Sequence, residues 1–291
     1  MSTHWHQQGE QSAGRLRILA LWYCYRFLGR QFVNALLWII FPFIYPWCKP
    51  ARAALKEYYQ VAGVKPRPFR HLLNFAQSMM DKTDACTLRK NPPKIEVVGD
   101  KEWMKGGCFL VSTHIGCIEC LPYLLGTNDE LRITNGGKLP LVNAFQQMGH
   151  DAVFTQVFKE HLGEMFKLHA VEDIGVETAV MMQDEIKRGN IVLMAGDRAS
   201  ANSQTRKLSN SQTLFGKPVA FPKGVFSFAR LMECPVYAIT CVKTGINAYE
   251  VHTAKLGGKL VEDYARFLET EASHYPYQWY HFYSYFGYDF A

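Results

Sequence analysis

Carboxylates are scarce at the start of this 291-residue chain. Its first 70 residues hold only Glu10 and Glu57 against ten lysines and arginines, whereas the remainder carries 22 basic and 24 acidic residues. Such a surplus suits an anionic surface, but the sequence lacks the repeat, zinc-finger spacing or basic recognition helix that a nucleic-acid partner would call for. A disulfide framework is also missing. The eight cysteines follow no regular spacing and several sit inside apolar runs, so they read as reduced thiols of a cytosol-facing protein. Residues 1–14 lack the charged-then-apolar pattern and small-residue cleavage site of a secretory signal.

Apolar and aromatic residues are abundant, which excludes disorder for the bulk of the chain, and the length suits one large α/β domain with an appendage. From Leu16 to Cys48 the chain is rich in Leu, Ile, Phe, Trp and Tyr. Its uncharged part, Gln31 to Cys48, is about as long as a membrane span, but Pro42, Pro46 and Asn34 interrupt it. On a helical wheel Arg15, Arg26 and Arg30 fall within about 60° of one another. The pattern predicts a monotopic helix lying on an anionic membrane surface and continuing into a wedge around Phe41–Trp47; the alternative is a core helix of a soluble domain. Residues 49–90 read as helical with a break at Lys65-Pro66-Arg67-Pro68. The expected division is an N-terminal membrane-associated helical region over 1–65 and a catalytic domain over 66–291.

Beyond Asn91-Pro92-Pro93, short apolar runs alternate with helical patterns. Strands are expected at Ile95–Val98, Cys108–Ser112, Leu131–Thr134, Ile191–Ala195 and Val236–Val242, and helices at Gly116–Leu125, Gly175–Arg188, Lys223–Met232 and Lys259–Ala272. Strands spaced by helices predict an α/β fold: a largely parallel central sheet flanked by helices, with sites at the carboxyl ends of strands. His114 and Asp197 fall just past two such ends.

Three constellations carry chemistry. The first is His114, followed five positions later by Glu119. An imidazole titrates near neutrality and takes a proton from a hydroxyl, while a carboxylate on its far nitrogen fixes the tautomer and steadies the cation. The same stretch admits zinc, because His114, Cys117 and Cys120 recur every three residues and would share one face of a continuous helix. Against zinc, Gly116 places His114 before the helix, and no second cysteine–histidine cluster offers a fourth ligand. The second constellation is Gly196-Asp197-Arg198, a polar pair after an apolar run, or else a solvated turn with an ion pair. The third is Leu214–Gly224, where Lys217 and Lys223 with a helix N-terminus suit a phosphate; an exposed basic hairpin is the plainer account.

In this order, the blocks resemble the bacterial lipid A biosynthesis acyltransferases, within the wider lysophospholipid/glycerol-3-phosphate acyltransferase superfamily. The resemblance rests on His114 and Glu119, on Gly196-Asp197-Arg198, on Leu214-Phe215-Gly216-Lys217-Pro218 with Phe221-Pro222-Lys223-Gly224, and on Tyr275-Pro276-Tyr277-Gln278-Trp279. The opening, with Trp5, Gly9 and Glu10, looks like a shorter branch. Two departures stand out: Arg198 where the family usually has Gln, and Tyr277 in place of a Glu, followed by an aromatic rather than basic tail.

The resemblance implies a glycerol-3-phosphate acyltransferase-like fold and an O-acyltransferase. His114 would act as general base and Glu119 would orient it, with Asp197, Arg198, Gly216, Lys217 and Lys223 binding substrate and no metal or cofactor taking part. The implied donor is an acyl carrier protein (or coenzyme A) thioester, the acceptor a membrane lipid or its precursor, and the location the cytoplasmic face of a bacterial inner membrane. The rival expectations are an idle lipid-binding scaffold of the same fold and a zinc-dependent hydrolase.

Overall fold

The computed structural model describes residues 15–83, 93–127, 139–146, 166–198 and 209–286. In chain order these form α1 (Arg15–Ile44), α2 (Lys49–Ala62), α3 (Pro68–Thr83), β1 (Lys94–Gly99), β2 (Cys108–Gly116), α4 (Leu121–Thr127), β3 (Val142–Gln146) and β4 (Phe166–Ala170). There follow α5 (Val176–Lys187), β5 (Ile191–Ala195), β6 (Ser209–Leu214), β7 (Lys217–Pro222), α6 (Lys223–Leu231), β8 (Val236–Gly245), β9 (Ala248–Lys255) and α7 (Leu260–His274). Seven strands make one sheet in the order β1-β9-β8-β2-β5-β3-β4, and β6 with β7 forms a separate hairpin. From β8 to β4 every neighbouring pair is parallel; β9 runs antiparallel to β8, with β1 parallel to β9 beside it. The fold is therefore α/β with a mostly parallel central sheet, as expected.

The apolar runs become central strands because both faces of the sheet are covered. Phe109 and Val111 of β2, Val192 and Met194 of β5, and Val236 and Ala238 of β8 belong to one buried cluster with residues of α2, α3, α5, α6 and α7. Their neighbours Cys108, Leu110, Ile191, Leu193, Tyr237 and Ile239 belong to a second cluster, closed by α4 and by Trp103 and Met104. Leu55, Tyr58 and Tyr59 of α2 lie in the first cluster with Leu72 and Leu73 of α3, so the chain on both sides of residue 65 shares one core. The expected strand at Leu131–Thr134 lies outside the described residues.

Gly29 breaks the N-terminal helix, with φ 78° and ψ 170° inside α1. A wheel drawn at a constant angle per residue does not carry across that break, and the expected basic stripe fails at Arg30. Instead of facing an anionic surface, Arg30 is 6% exposed and pairs with the buried Asp81 of α3. Lys243 reaches the other Asp81 oxygen at 2.8 Å, and Tyr249 also donates to it. After the kink, Val33 and Phe41 are buried and Leu37 is packed beside them, a four-residue spacing that lays one face of α1 on the body. On the remaining surface Phe27, Ile39, Phe43 and Trp47 are exposed. Tyr23–Trp47 is long and apolar enough to cross a membrane, and 17% of its apolar window is buried.

The strand that matters most, β2, runs four residues beyond its predicted end, and its pairing with β8 slips on the way. Ser112 faces Ile239 and Gly116 faces Cys241, so four steps on β2 answer two on β8. A bulge of this kind lifts residues out of the ladder and re-aims a side chain. The freed backbone groups find partners. The Ile115 N–H goes to Thr113 Oγ1 at 3.1 Å, the Ile115 carbonyl accepts from Thr240 Oγ1 at 2.7 Å, the His114 carbonyl accepts from Tyr280 N, and Gly116 N donates to the Gln278 carbonyl. Gly116 closes the bulge at φ 73°, where an added Cβ would run into the Cys241 carbonyl. Gly116→Ala is expected to cost about 2 kcal/mol or more, through positive φ and a backbone collision together, as a lowered urea midpoint would show.

Candidate active site

At the carboxyl edge of adjacent parallel strands, the bulge of β2 and the turn after β5 meet. His114 sits in the bulge and Asp197 two residues beyond the end of β5. The His114 Nδ1–H points at Asp197 Oδ1, 2.5 Å away, and the backbone N–H of the same histidine donates to Asp197 Oδ2 at 2.7 Å. Trp279 Nε1 donates to Oδ2 as well, at 3.1 Å, and the Tyr285 hydroxyl to the Asp197 carbonyl at 2.7 Å. Asp197 is 1% exposed while the His114 side chain is 30% exposed. The carboxylate is thus enclosed and the ring reaches out. With Nδ1 committed to the carboxylate, Nε2 is the nitrogen left for a proton transfer. Burial pushes the Asp197 carboxyl up, but the His114 ring and backbone N–H, with Arg198 nearby, outweigh it and hold the group at about 2.

Glu119, expected as the partner of the ring, is placed differently. Residues 118–120 form a 3-10 turn, and α4 begins only at Leu121 instead of Gly116. From that turn Glu119 Oε1 accepts from Lys82 Nζ at 2.7 Å, and Oε2 lies 3.6 Å from Cys117 Sγ. Burial raises the Glu119 carboxyl, and Lys82 together with the His114 charge brings it down to about 2. Glu119 is therefore an ionised neighbour of the histidine, whereas the carboxylate that holds the ring is Asp197. The zinc arrangement fails on local geometry: His114 is in a strand and Cys120 in a 3-10 turn, so the three residues do not recur along one helix face. Among the described residues no group of three His, Cys, Asp or Glu is placed to hold a metal.

Arg198 joins the site from the same turn as Asp197, donating from its guanidinium to the Tyr280 carbonyl at 3.1 Å. Gly216 and Lys217 do not come with it. They lie at the exposed tip of the β6–β7 hairpin, where Phe215 and Gly216 both have positive φ, the backbone of a tight two-residue turn. The plainer expectation, a hairpin, describes this segment. Lys223 is the first residue of α6, after Pro222 at the N-cap.

Sequence reasoning passed over the residues that hold Asp197 in place. Trp279 was visible only as part of a C-terminal motif. In the structure its backbone forms an antiparallel bridge with Ile115, and its indole is the third donor to the carboxylate. Two buried histidines fix that tryptophan. His71 accepts from the Tyr59 hydroxyl at Nδ1 and donates from Nε2 to the Trp279 carbonyl at 2.9 Å, while His281 Nδ1 lies 3.1 Å from the same carbonyl. Burial pushes His71 down to about 4 and His281 down to about 3.

Compared with known protein families and curated proteins, this chain matches none. The site is therefore read from its own geometry. A consequence of that geometry concerns acid. Because both histidines are neutral when folded and protonate near 6.5 when unfolded, the unfolded state binds about two more protons between pH 6.5 and 4. Their contribution is complete above pH 6.5 and declines as pH falls towards 4. Chemical denaturation at several pH values is expected to show unfolding free energy falling in this window, and a His71→Leu variant to show a shallower slope.

Proposed function

We propose that this protein is an O-acyltransferase working at a membrane surface, with His114 as general base and Asp197 as the carboxylate that orients it. The observation that carries the reading is the contact of His114 Nδ1 with an enclosed carboxylate while the same ring remains 30% exposed. That is the arrangement a base needs: one nitrogen fixed, the other presented to a substrate. The large exposed apolar area on α1 supports a membrane location, because a lipid surface would cover it. The ordered motifs of the sequence agree with both, and favour a glycerol-3-phosphate acyltransferase-like fold at the cytoplasmic face of a bacterial inner membrane.

In the proposed reaction His114 Nε2 removes the proton from an acceptor hydroxyl as its oxygen attacks the carbonyl carbon of an acyl thioester. The tetrahedral oxyanion collapses, the carbon–sulfur bond breaks, and the departing thiolate takes the proton from the imidazolium. Asp197 stabilises that imidazolium without taking its proton, since its own carboxyl sits at about 2. Glu119, ionised beside Lys82, adds negative charge on the histidine's side of the site. The donor is an acyl carrier protein or coenzyme A thioester, and the acceptor a membrane lipid hydroxyl.

Incubating the full-length protein with a radiolabelled acyl thioester and a membrane lipid extract tests this directly. Label appearing in a lipid band, and absent when His114 is replaced by alanine, is the expected result. Folded wild-type protein that binds lipid yet transfers no acyl group would instead identify a lipid-binding scaffold.

A further inference from the structure

Away from the His114–Asp197 pair, α1, α3 and the β8–β9 hairpin enclose a cleft of about 580 Å³. Among the described residues its lining carries Arg70 and Lys243 and no carboxylate, together with the carboxamides of Asn34 and Gln77. Behind the lining, Lys243 shares the buried Asp81 with Arg30, two cations to one anion. The side-chain oxygen of Asn34 is buried and has no hydrogen-bond partner among the described residues. The rim has the opposite character. Trp38 on α1 is 57% exposed and Ile246 at the hairpin tip 82% exposed, and the apolar surface continues along α1 through Ile39 and Phe43.

From this combination we propose that the cleft is a headgroup site for a phosphate-bearing, hydroxyl-rich membrane lipid, whose chains follow the exposed face of α1. The two cations hold the phosphate by charge-assisted hydrogen bonds, and Asn34 and Gln77 pair with the hydroxyls. A free phosphate would use the floor and leave the apolar rim idle; the lipid uses both. The inner wall is Tyr280, whose N–H bonds the His114 carbonyl, so an occupied cleft stands behind the bulge that carries the histidine. The inference rests on the membrane-surface part of the reading above and is independent of acyl transfer.

The test is a titration of the detergent-solubilised full-length protein with three probes: dihexanoyl phosphatidylglycerol, dihexanoyl phosphatidylcholine and inorganic phosphate. Saturable binding of phosphatidylglycerol at one per chain is expected, tighter than either other probe. It should be weakened about tenfold by Arg70→Gln, an exposed position, and similarly by Asn34→Leu, both with unchanged circular dichroism. His114→Ala must bind the lipid as the wild type does, so a failure of the catalytic reading leaves this result standing. Equal affinity for phosphatidylcholine, or full binding by both cleft variants, would overturn the site. Inorganic phosphate binding as tightly as the lipid would overturn the lipid assignment.

Discussion

His114→Ala is expected to lower acyl transfer by roughly 10²- to 10⁴-fold, the usual contribution of a positioned general base, while leaving the protein folded. The fold survives because the ring is 30% exposed and among the described residues its side chain bonds Asp197 alone, whereas the bulge is held by backbone groups and by Thr113 and Thr240. The backbone N–H of residue 114 still donates to Asp197 Oδ2 in the variant. Steady-state transfer alongside a urea titration separates the two effects. Near-normal turnover by a folded His114→Ala protein would remove the base from the mechanism.

Asp197→Asn should be as damaging to turnover and, unlike the histidine variant, costly to the fold. The carboxylate accepts three N–H groups: the His114 backbone and Trp279 indole at Oδ2, and the His114 ring at Oδ1. An amide offers one acceptor oxygen and one donating nitrogen. If its oxygen stays with the backbone and indole donors, its NH₂ faces Nδ1, which must then become an acceptor. The ring proton moves to Nε2, the tautomer that cannot act as a base. The alternative orientation sets NH₂ against two fixed donors. The native carboxyl lies at about 2 against 3.8 unfolded, a depressed carboxylate whose stabilisation is present above pH 4 and fades as pH falls towards 2. That difference amounts to roughly 2 kcal/mol, which the asparagine variant forfeits near neutrality. Glu119→Gln is expected to lose less activity than Asp197→Asn, because Glu119 is bonded to Lys82 and its side chain is 37% exposed. A comparison of kcat for the two variants decides between them; a larger loss at Glu119 would return the orienting role to that residue.

Much of the frame was legible in the sequence because it follows from local rules. Ile191–Ala195 is bounded by Gly189-Asn190 on one side and Gly196 on the other, and it forms the predicted strand residue for residue. The helix expected at Gly175–Arg188 appears as Val176–Lys187, with Gly175 at its N-cap and Arg188 at its C-cap. Strands that escaped notice lacked such punctuation or were mixed in polarity. In β9, Ala248–Lys255, every second residue is buried, yet it contains Glu250, His252 and Thr253 and follows β8 after a two-residue tip. Phe166–Ala170 is five residues with a lysine and a histidine, a pattern that periodicity alone does not assign.

By itself the sequence determined the class of the fold, the apolar N-terminal helix, and the place of His114 at a strand end. These depend on apolar runs, turn residues and spacing, which are properties of neighbours along the chain. Only the tertiary structure decided which carboxylate serves the histidine. Glu119 is close in sequence, but the bulge of β2 and the late start of α4 turn it towards Lys82. Asp197, 83 residues away, arrives because β2 and β5 are parallel neighbours whose ends coincide. Arg30 shows the same division: its place on a helical wheel pointed to an anionic membrane surface, and the break at Gly29 with a buried Asp81 on α3 turned it inward. A charged side chain takes the partner that tertiary packing brings to it, because burying it alone costs more than any local preference supplies.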